Sequence, residues 1–299
     1  MDRLDELTVL VAVLETGSLA AAGRRLRRSP PAVTRALMAL EDRVGARLVE
    51  RTTRRVTFTE AGRTLAGQAR AVLAGYADAV RADRDATLRG TVRVTAPQVF
   101  GRRHVTPLVT TFLDAHPALT VELVLSDRNL DMVEDGLDVA VRIGPLPDSS
   151  LVVRRVGEVR RVLVASPAYL ATRGTPRTPH ELARHDAIFS SGRPVPVEWR
   201  FRDGARGRIV RLAPRLLVND VEAALVAARM GQGIAMALSY QVADDLGAGT
   251  LVRLLPAFEP PPLPVQLLVP GGRYVTPRVR VFLDHAAQHL GALAAIRPA

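Results

Sequence analysis

Apolar residues fall at helical spacing from the first turns of the chain. Leu7, Leu10, Val11 and Leu14 share one face within residues 4–15, and Gly17 is placed to close that helix in the left-handed region. Ser18 then stands as an N-cap for a short helix, Leu19–Leu26, whose Ala20, Ala21 and Ala22 let a neighbouring helix approach closely. Arg27 and Arg28 form the turn. Ser29 is the next N-cap, with Pro30 at the first helical position, where a missing N–H does no harm. Val33, Leu37, Leu40 and Val44 follow at spacings of four, three and four, which predicts one apolar stripe and leaves Thr34, Arg35 and Met38 pointing elsewhere. Gly45 ends that helix.

Two short strands follow, over residues 48–51 and 56–58, around a connection at 52–55. Such a hairpin is a wing. Thr59 can cap a long helix, with Glu60 favourable at its positive end. Leu65, Ala69, Val72, Tyr76 and Val80 form its stripe, with no break before Gly90. A helix of that length cannot bury its stripe on a small domain. It is suited to packing on a copy of itself, and an ordinary core helix is the alternative.

From Thr91 the period changes. TVRVTAP alternates, a helical stretch covers 103–116, LTVELVLS alternates again, and a short helix over 129–136 leads into LDVAVRIG. VRRVLVAS, PAYLATRG, RLLVND, VEAALVAARMGQG and IAMALS continue the alternation of strand and helix. This is α/β patterning with mostly parallel sheets, and about 210 residues make two lobes the natural division.

Composition sharpens this picture. Of 299 residues, 47% are hydrophobic, enough for a buried core. Cysteine is absent, which excludes disulfides and thiolate metal sites and fits a reducing cytoplasm. The apolar run from Leu7 to Leu14 is too short for a signal or membrane helix, so the expected location is cytoplasmic, with no membrane partner. The formal net charge is +11, carried by arginine without lysine. Between Arg24 and Arg70 stand twelve arginines against four acids, a net +8, while the rest of the chain carries +3. That concentration suits a polyanion, and a solvated basic face is the alternative.

A short Ala-rich helix, a tight turn and a capped helix with polar residues near its start make a helix-turn-helix pattern. A recognition helix needs this arrangement because its N-terminal residues meet base edges and phosphates in the major groove. The candidate DNA-binding residues are Ser29, Pro30, Pro31, Thr34, Arg35 and Met38, with Arg51, Thr52, Arg54 and Arg55 of the wing beside the phosphate backbone. A helical hairpin with a basic face is the plainer alternative.

Ligands of open α/β sheets bind where strands end and helices begin. Three such places are Ala96, Pro97, Gln98 and Val99; Arg142, Ile143 and Gly144; and Asn219 with Asp220. Helix N-termini with free N–H groups suit a small carboxylate, and Arg142 would add a charge-assisted bond, unless it is a surface arginine. Other signals carry less. Gly231-Gln-Gly233 precedes a strand, the wrong order for a phosphate loop, so both are turn glycines. His285 and His289 lie four apart without a third ligand, which argues for a solvated helix face. No nucleophile, metal or cofactor constellation stands out, so the chain is expected not to be an enzyme and to need no cofactor.

The run GSLAAAGRRLRRSPPAVTRALMALEDRVGARLVERTTRRVTFTEAG strongly resembles the LysR-type transcriptional regulators, without gaps. Leu19 stands where that family commonly has phenylalanine and Gly23 where alanine is usual, while Thr34 keeps the hydroxyl of a frequent serine. SDRNLDMVEDGLDVAVRIGPLPDSSL, SPAYL, GQGIAMAL and LVRLLP resemble the family's effector domain, which is similar to type II periplasmic binding proteins.

The resemblance implies an α/β protein in three parts: a winged helix-turn-helix over 1–58, a linker and dimerisation helix over 59–89, and a two-lobed effector domain over 90–299. The first lobe would take about 91–161 plus 267–299, and the second about 162–266. Function would be sequence-specific binding of a near-palindromic double-stranded DNA operator, controlled by a small anionic organic effector between the lobes. Partners would include a second copy of the chain, as dimer or tetramer, and RNA polymerase as a further candidate. A ligand-binding module whose basic end serves assembly alone, and an enzyme with a regulatory domain, are the rivals that a gel shift would separate.

Overall fold

The computed structural model describes residues 2–51, 56–81, 88–128, 130–146, 151–190, 198–204, 206–271 and 275–297. Three helices open the chain: α1 (Arg3–Thr16), α2 (Leu19–Leu26) and α3 (Pro30–Val44). Gly17, at φ 63°, ends α1 by donating its N–H to Val13 O. Ser18 Oγ accepts the Ala21 N–H at 3.4 Å and caps α2. Val9, Leu10, Val13, Ala22, Val33 and Leu37 meet in a core closed to solvent.

The turn between α2 and α3 is tight. Arg27 takes a left-handed conformation at φ 54°, and the Arg28 N–H reaches back to Gly23 O at 2.8 Å. A Cβ on Gly23 would lie 2.8 Å from the Arg28 carbonyl oxygen, so glycine at this helical position admits the close return of the chain. Ser29 holds the N-cap position of α3 with extended backbone, but its hydroxyl makes no capping bond.

The stripe on α3 departs from expectation at its end. Val44 is 45% exposed, and the buried position one turn beyond Leu37 is Glu41. The helix has passed the apolar core there, and Glu41 instead meets backbone donors. Its Oε1 accepts N–H groups from Leu48 at 2.8 Å and Val49 at 3.1 Å. Leu48 O accepts from Thr59 N at 3.1 Å. With both its backbone groups engaged this way, Leu48 precedes the wing, whose strands β1 (Val49–Arg51) and β2 (Val56–Phe58) pair antiparallel with Arg51 opposite Val56.

Thr59 Oγ1 accepts the Gly62 N–H at 3.0 Å and donates to Arg47 O at 2.8 Å, which caps α4 (Glu60–Arg81) and ties it to the wing. The expected stripe of α4 divides in two. Ala66 and Ala69 are buried, Ala66 within the core shared with α1, whereas Val72, Tyr76 and Val80 are 51%, 55% and 60% exposed. The expected run toward Gly90 falls partly on residues 82–87, outside the described residues.

The remaining chain forms two five-stranded sheets. The first has the order β4 (Leu119–Leu125), β3 (Gly90–Ala96), β5 (Val139–Ile143), β14 (Leu263–Pro270), β6 (Leu151–Val159). The second has the order β11 (Pro214–Val218), β8 (Ala187–Ser190), β12 (Ile234–Leu238), β7 (Arg161–Ala165), β13 (Val252–Leu254). The sheets are mixed rather than mostly parallel. β3 runs parallel to β4 and β5, but β14 is antiparallel to β5 and β6, and β7 is antiparallel to β12 and β13. The cause is that the chain crosses between lobes twice, so that one strand enters each sheet from the other lobe. Arg160 alone separates β6 from β7; its N–H donates to Ser239 Oγ at 3.1 Å and its carbonyl accepts the Ser239 N–H at 2.8 Å. The return precedes Leu263, where β14 joins the first sheet, rather than falling near 267.

In the first lobe, α5 (Gln98–Phe100) runs through a π turn at Gly101–Val105 into α6 (Thr106–Ala115). With α10 (Pro277–Ala292) it covers the sheet, and Phe112 meets Phe282 edge to face at 5.0 Å. In the second lobe, α8 (Val221–Arg229) packs Ala224, Leu225 and Ala228 on one face. The other face is covered by α7 (Pro167–Arg173) and an unanticipated hairpin, β9 (Glu198–Asp203) with β10 (Arg206–Arg211), which buries Trp199 and Phe201. The final helix of that lobe is α9 (Ala243–Ala248). In place of the helix expected over 129–136, residues 132–136 are turns, because Asp131 Oδ1 caps the Val133 and Glu134 N–H groups and Gly136 turns left-handed at φ 64°. Gly231 and Gly233 are turn glycines at φ 77° and 149°.

Candidate nucleic-acid interface and effector cleft

At the start of α3, Ser29, Pro30, Pro31, Arg35 and Met38 are exposed and Thr34 is half-buried. Val33, Ala36 and Leu37 face the core, so the helix offers its N-terminal turns and one side to solvent. An apolar methionine at 50% exposure costs water contact in the free protein. The Arg35 guanidinium makes no hydrogen bond or ion pair among the described residues, and neither do the guanidinium groups of the exposed Arg24, Arg27 and Arg47. Other arginines of the same segment are structural. Arg25 holds Glu15 at 2.6 Å, Arg28 holds Asp5 at 2.7 Å, and Arg43 grips the buried Glu6 with two bonds at 3.0 and 3.2 Å. The basic segment thus sorts into cations that brace the domain and cations left on its surface. Arg51 ends β1, while Thr52, Arg54 and Arg55 lie outside the described residues.

The expected effector residues separate into two kinds. Ala96 and Val99 turn into the first lobe's core, at 0% and 3% exposure, so their side chains offer nothing to a ligand. Pro97, Gln98, Arg142 and Ile143 are half-buried at the end of β3, the start of α5 and the end of β5. Gly144 is buried at φ 108°, its N–H on Pro264 O at 2.9 Å and its carbonyl on Gln266 Nε2 at 2.8 Å. In the second lobe Asn219 is exposed and Asp220 half-buried.

The helix N-termini are less free than expected. The Gln98 N–H donates to Asp127 Oδ1 at 3.0 Å, and Asp220 Oδ1 accepts the Ala223 N–H of its own helix at 2.8 Å. Helix N-termini attract carboxylates, and here the protein's own aspartates have answered that attraction. The guanidinium of Arg142 is different. Its Nη2 is buried and has no hydrogen-bond partner among the described residues. Burial lowers the Arg142 pKa from its ordinary value, and the Asp127 charge works in the opposite direction. An arginine so placed gains from an incoming anion.

Residues missed by the sequence reading join the lobes. Arg103, in the π turn, donates to Tyr240 O at 3.2 Å and pairs with Glu222 at 3.4 Å and Asp244 at 3.6 Å. Phe100, His104 and Tyr240 form an aromatic group, with Phe100 and Tyr240 edge to face at 5.2 Å. Burial raises the Tyr240 hydroxyl far above its usual pKa, and it lowers the His104 imidazole with help from Arg103, so both stay neutral near pH 7. Each Arg103 contact spans more than a hundred residues, a separation for which helical spacing gives no signal. The π turn itself, a feature often found at functional sites, is likewise invisible to a 3.6-residue pattern.

His285 Nε2 lies 3.1 Å from Leu108 O, and His289 Nδ1 lies 3.0 Å from His285 O. Among the described residues no group of three or more metal-type ligands occurs, and no helix is long and apolar enough to cross a membrane.

A helix-turn-helix with a wing, a long helix and a two-lobed α/β domain define a DNA-binding regulator with a ligand-sensing half. The family model for the bacterial regulatory helix-turn-helix protein, lysR family, matches residues 4–63, and that for the LysR substrate binding domain matches 85–291. The chain belongs to the LysR family of transcription regulators. It is 35% identical over 291 residues to the HTH-type transcriptional regulator PtxR of Pseudomonas aeruginosa, covering 97% of this chain and 93% of that one. Among solved structures it is similar to CrgA of Neisseria meningitidis, at TM-score 0.62 and 30% identity over 96% of this chain and 98% of the other. The full-length Vibrio cholerae virulence activator AphB gives TM-score 0.61 at 28% identity, over 96% of this chain and all of that one. A crystal structure of ArgP from Mycobacterium tuberculosis, at 21% identity and TM-score 0.75, shares the fold.

Proposed function

We propose that this LysR-type regulator reads its operator with the first turns of α3 and senses a small organic anion between its two lobes. The observation that carries the first part is Arg35 beside Met38, both exposed on a helix whose opposite side is core, with the Arg35 guanidinium bound to nothing among the described residues. Ser29, Pro30, Pro31 and Thr34 complete that surface. Arg51, Thr52, Arg54 and Arg55 belong to the same reading as contacts to the DNA phosphates, which position rather than specify. The exposed Val72, Tyr76 and Val80 of α4 support self-association, as dimer or tetramer, which would set two recognition helices on a near-palindromic site. The regulator works in the cytoplasm without a cofactor, is not an enzyme, and has RNA polymerase as a candidate partner. Domain bounds of 1–58, 59–89 and 90–299 follow from the same reading.

The Arg142 guanidinium supports an anionic effector, held with Pro97, Gln98 and Ile143 beside Gly144, and with Asn219 and Asp220 across the cleft. Such a ligand acts only if it binds two arrangements of the oligomer unequally. Gel-shift titration on the DNA upstream of the chain's own and neighbouring genes tests the proposal. Selective retention of one fragment over competitor DNA is the expected result, and uniform retention of all fragments contradicts it.

A further inference from the structure

His104 stands where the two lobes meet. It lies in the π turn Gly101–Val105, and its ring touches Phe100 of α5 at 4.9 Å and Tyr240 of the other lobe at 5.6 Å. Phe100 and Tyr240 close the triangle at 5.2 Å, and both are buried. Tyr240 belongs to the 3-10 turn Ser239–Gln241, which follows β12 and precedes α9. Ser239 in turn is bonded to Arg160, where the chain crosses between the lobes. The three rings therefore sit beside a crossover that joins the lobes, with two rings from one lobe and one from the other.

The imidazole suits this place when it is neutral. Its Nε2 is buried without a hydrogen-bond partner among the described residues. With the ring proton on Nδ1, Nε2 is a bare acceptor, and leaving it unmet costs less than burying an unmet charged donor. A proton at Nε2 would place such a donor where nothing accepts it. Burial, and after it the Arg103 charge, hold the imidazole pKa below its ordinary value. The other groups around it do not offset this. Arg102, on the same turn, is a further exposed cation. Glu222 of α8 and Asp244 of α9 are both engaged by Arg103. Asp127, after β4, acts on Tyr240, whose hydroxyl stays neutral and accepts from Gln241 Nε2 at 3.3 Å.

We propose that His104 is an acid-sensitive latch between the lobes. Uptake of a proton at Nε2 drives the ring out of the cluster and loosens the Phe100–Tyr240 contact and the Arg103 bonds beside it. Released into water, His104 takes up that proton near its ordinary pKa of about 6.5, before the closed cluster does. Below that pH the open form therefore binds more protons than the closed one. Closure is fully favoured above about pH 6.5 and is lost progressively as pH falls toward the lower value in the cluster. A regulator latched in this way takes acidity as an input beside any ligand between its lobes.

Hydrogen exchange of the full chain between about pH 5 and 8, with the intrinsic pH dependence of amide exchange divided out, tests the proposal. In the parent, protection of Ser239–Gln241 and the start of α8 is expected to fall by up to about tenfold per pH unit below about pH 6.5, the linkage of one proton. The core of α1, α2 and α3 contains no histidine and is expected to lack that fall. His104→Phe keeps a ring in the cluster without a titrating nitrogen and is expected to abolish it. His104→Gln gives the same comparison if the phenylalanine variant does not fold. The imidazole NMR signal that these substitutions remove is expected to titrate in the parent below about pH 6.5. Protection at the junction that is independent of pH, a fall that persists in the variants, an equal fall in the core of α1, α2 and α3, or a His104 signal titrating at or above about pH 6.5 would each overturn the proposal.

Discussion

The buried carboxylate of Glu41 accepts the Leu48 N–H at 2.8 Å, and with it the Val49 N–H at 3.1 Å. A side chain of α3 thereby fixes where the wing begins. Replacing Glu41 by Ala leaves two backbone donors without their acceptor, and bonds to charged groups contribute about 1.5–3 kcal/mol. Thermal melting of Glu41→Ala is expected to show a loss of that order, with a smaller loss for Glu41→Gln, which retains an oxygen acceptor. Equal melting of Glu41→Ala and the parent would contradict the role.

Gly23 gives a prediction whose sign runs against helix propensity. Alanine normally exceeds glycine by about 1 kcal/mol inside a helix. Here the added Cβ meets the Arg28 carbonyl at 2.8 Å, which forces the turn before α3 to shift. Overpacking typically costs about 1–3 kcal/mol, so Gly23→Ala should lower Tm. A higher Tm would show that the turn gives way freely.

Asp245 ties the second lobe together and makes it acid-sensitive. It takes two bonds from Arg229, both at 2.7 Å, and one from Thr250 Oγ1 at 2.8 Å. The Arg229 bonds hold its pKa below the ordinary value, with Thr250 adding to the effect against the cost of burial. A depressed carboxylate contributes stability that is fully present above its unfolded pKa, about 3.9, and is lost as pH falls through the lower folded value. Asp245→Asn should therefore melt lower at pH 7, with the difference from the parent shrinking below about pH 4. A difference independent of pH would assign the loss to packing instead.

Arg103 bridges the lobes through Glu222, Asp244 and Tyr240 O. The pairs are about one-third exposed on the arginine side, so screening limits them to roughly 0.5–1 kcal/mol. Hydrogen exchange in Arg103→Ala should accelerate about two- to fivefold at the start of α8, the change that energy implies. Unaltered exchange there would show that the lobes are held by other contacts.

What the sequence made legible was local. Gly17, Ser18, Gly45 and Thr59 each act within a few residues, and each sits at the boundary its chemistry predicts. The stripe Val33, Leu37, Leu40 held until the core ran out, and Val44 then faced solvent because helical spacing does not report where a core ends. The antiparallel entry of β14 into the first sheet depends on a chain return that no period encodes. At the candidate cleft, Arg142 was accessible to sequence reasoning, but the capture of the Gln98 N–H by Asp127 was not, since those residues are 29 positions apart.

Reading of an operator by the start of α3 is most directly tested with Arg35→Ala. Fluorescence anisotropy should compare the parent and the variant on an operator duplex and on a scrambled duplex at one salt concentration. A base contact predicts a loss of about 1–3 kcal/mol on the operator, with a much smaller change on the scrambled sequence. Equal losses on both duplexes, or none on either, would contradict the assignment of Arg35 to base recognition.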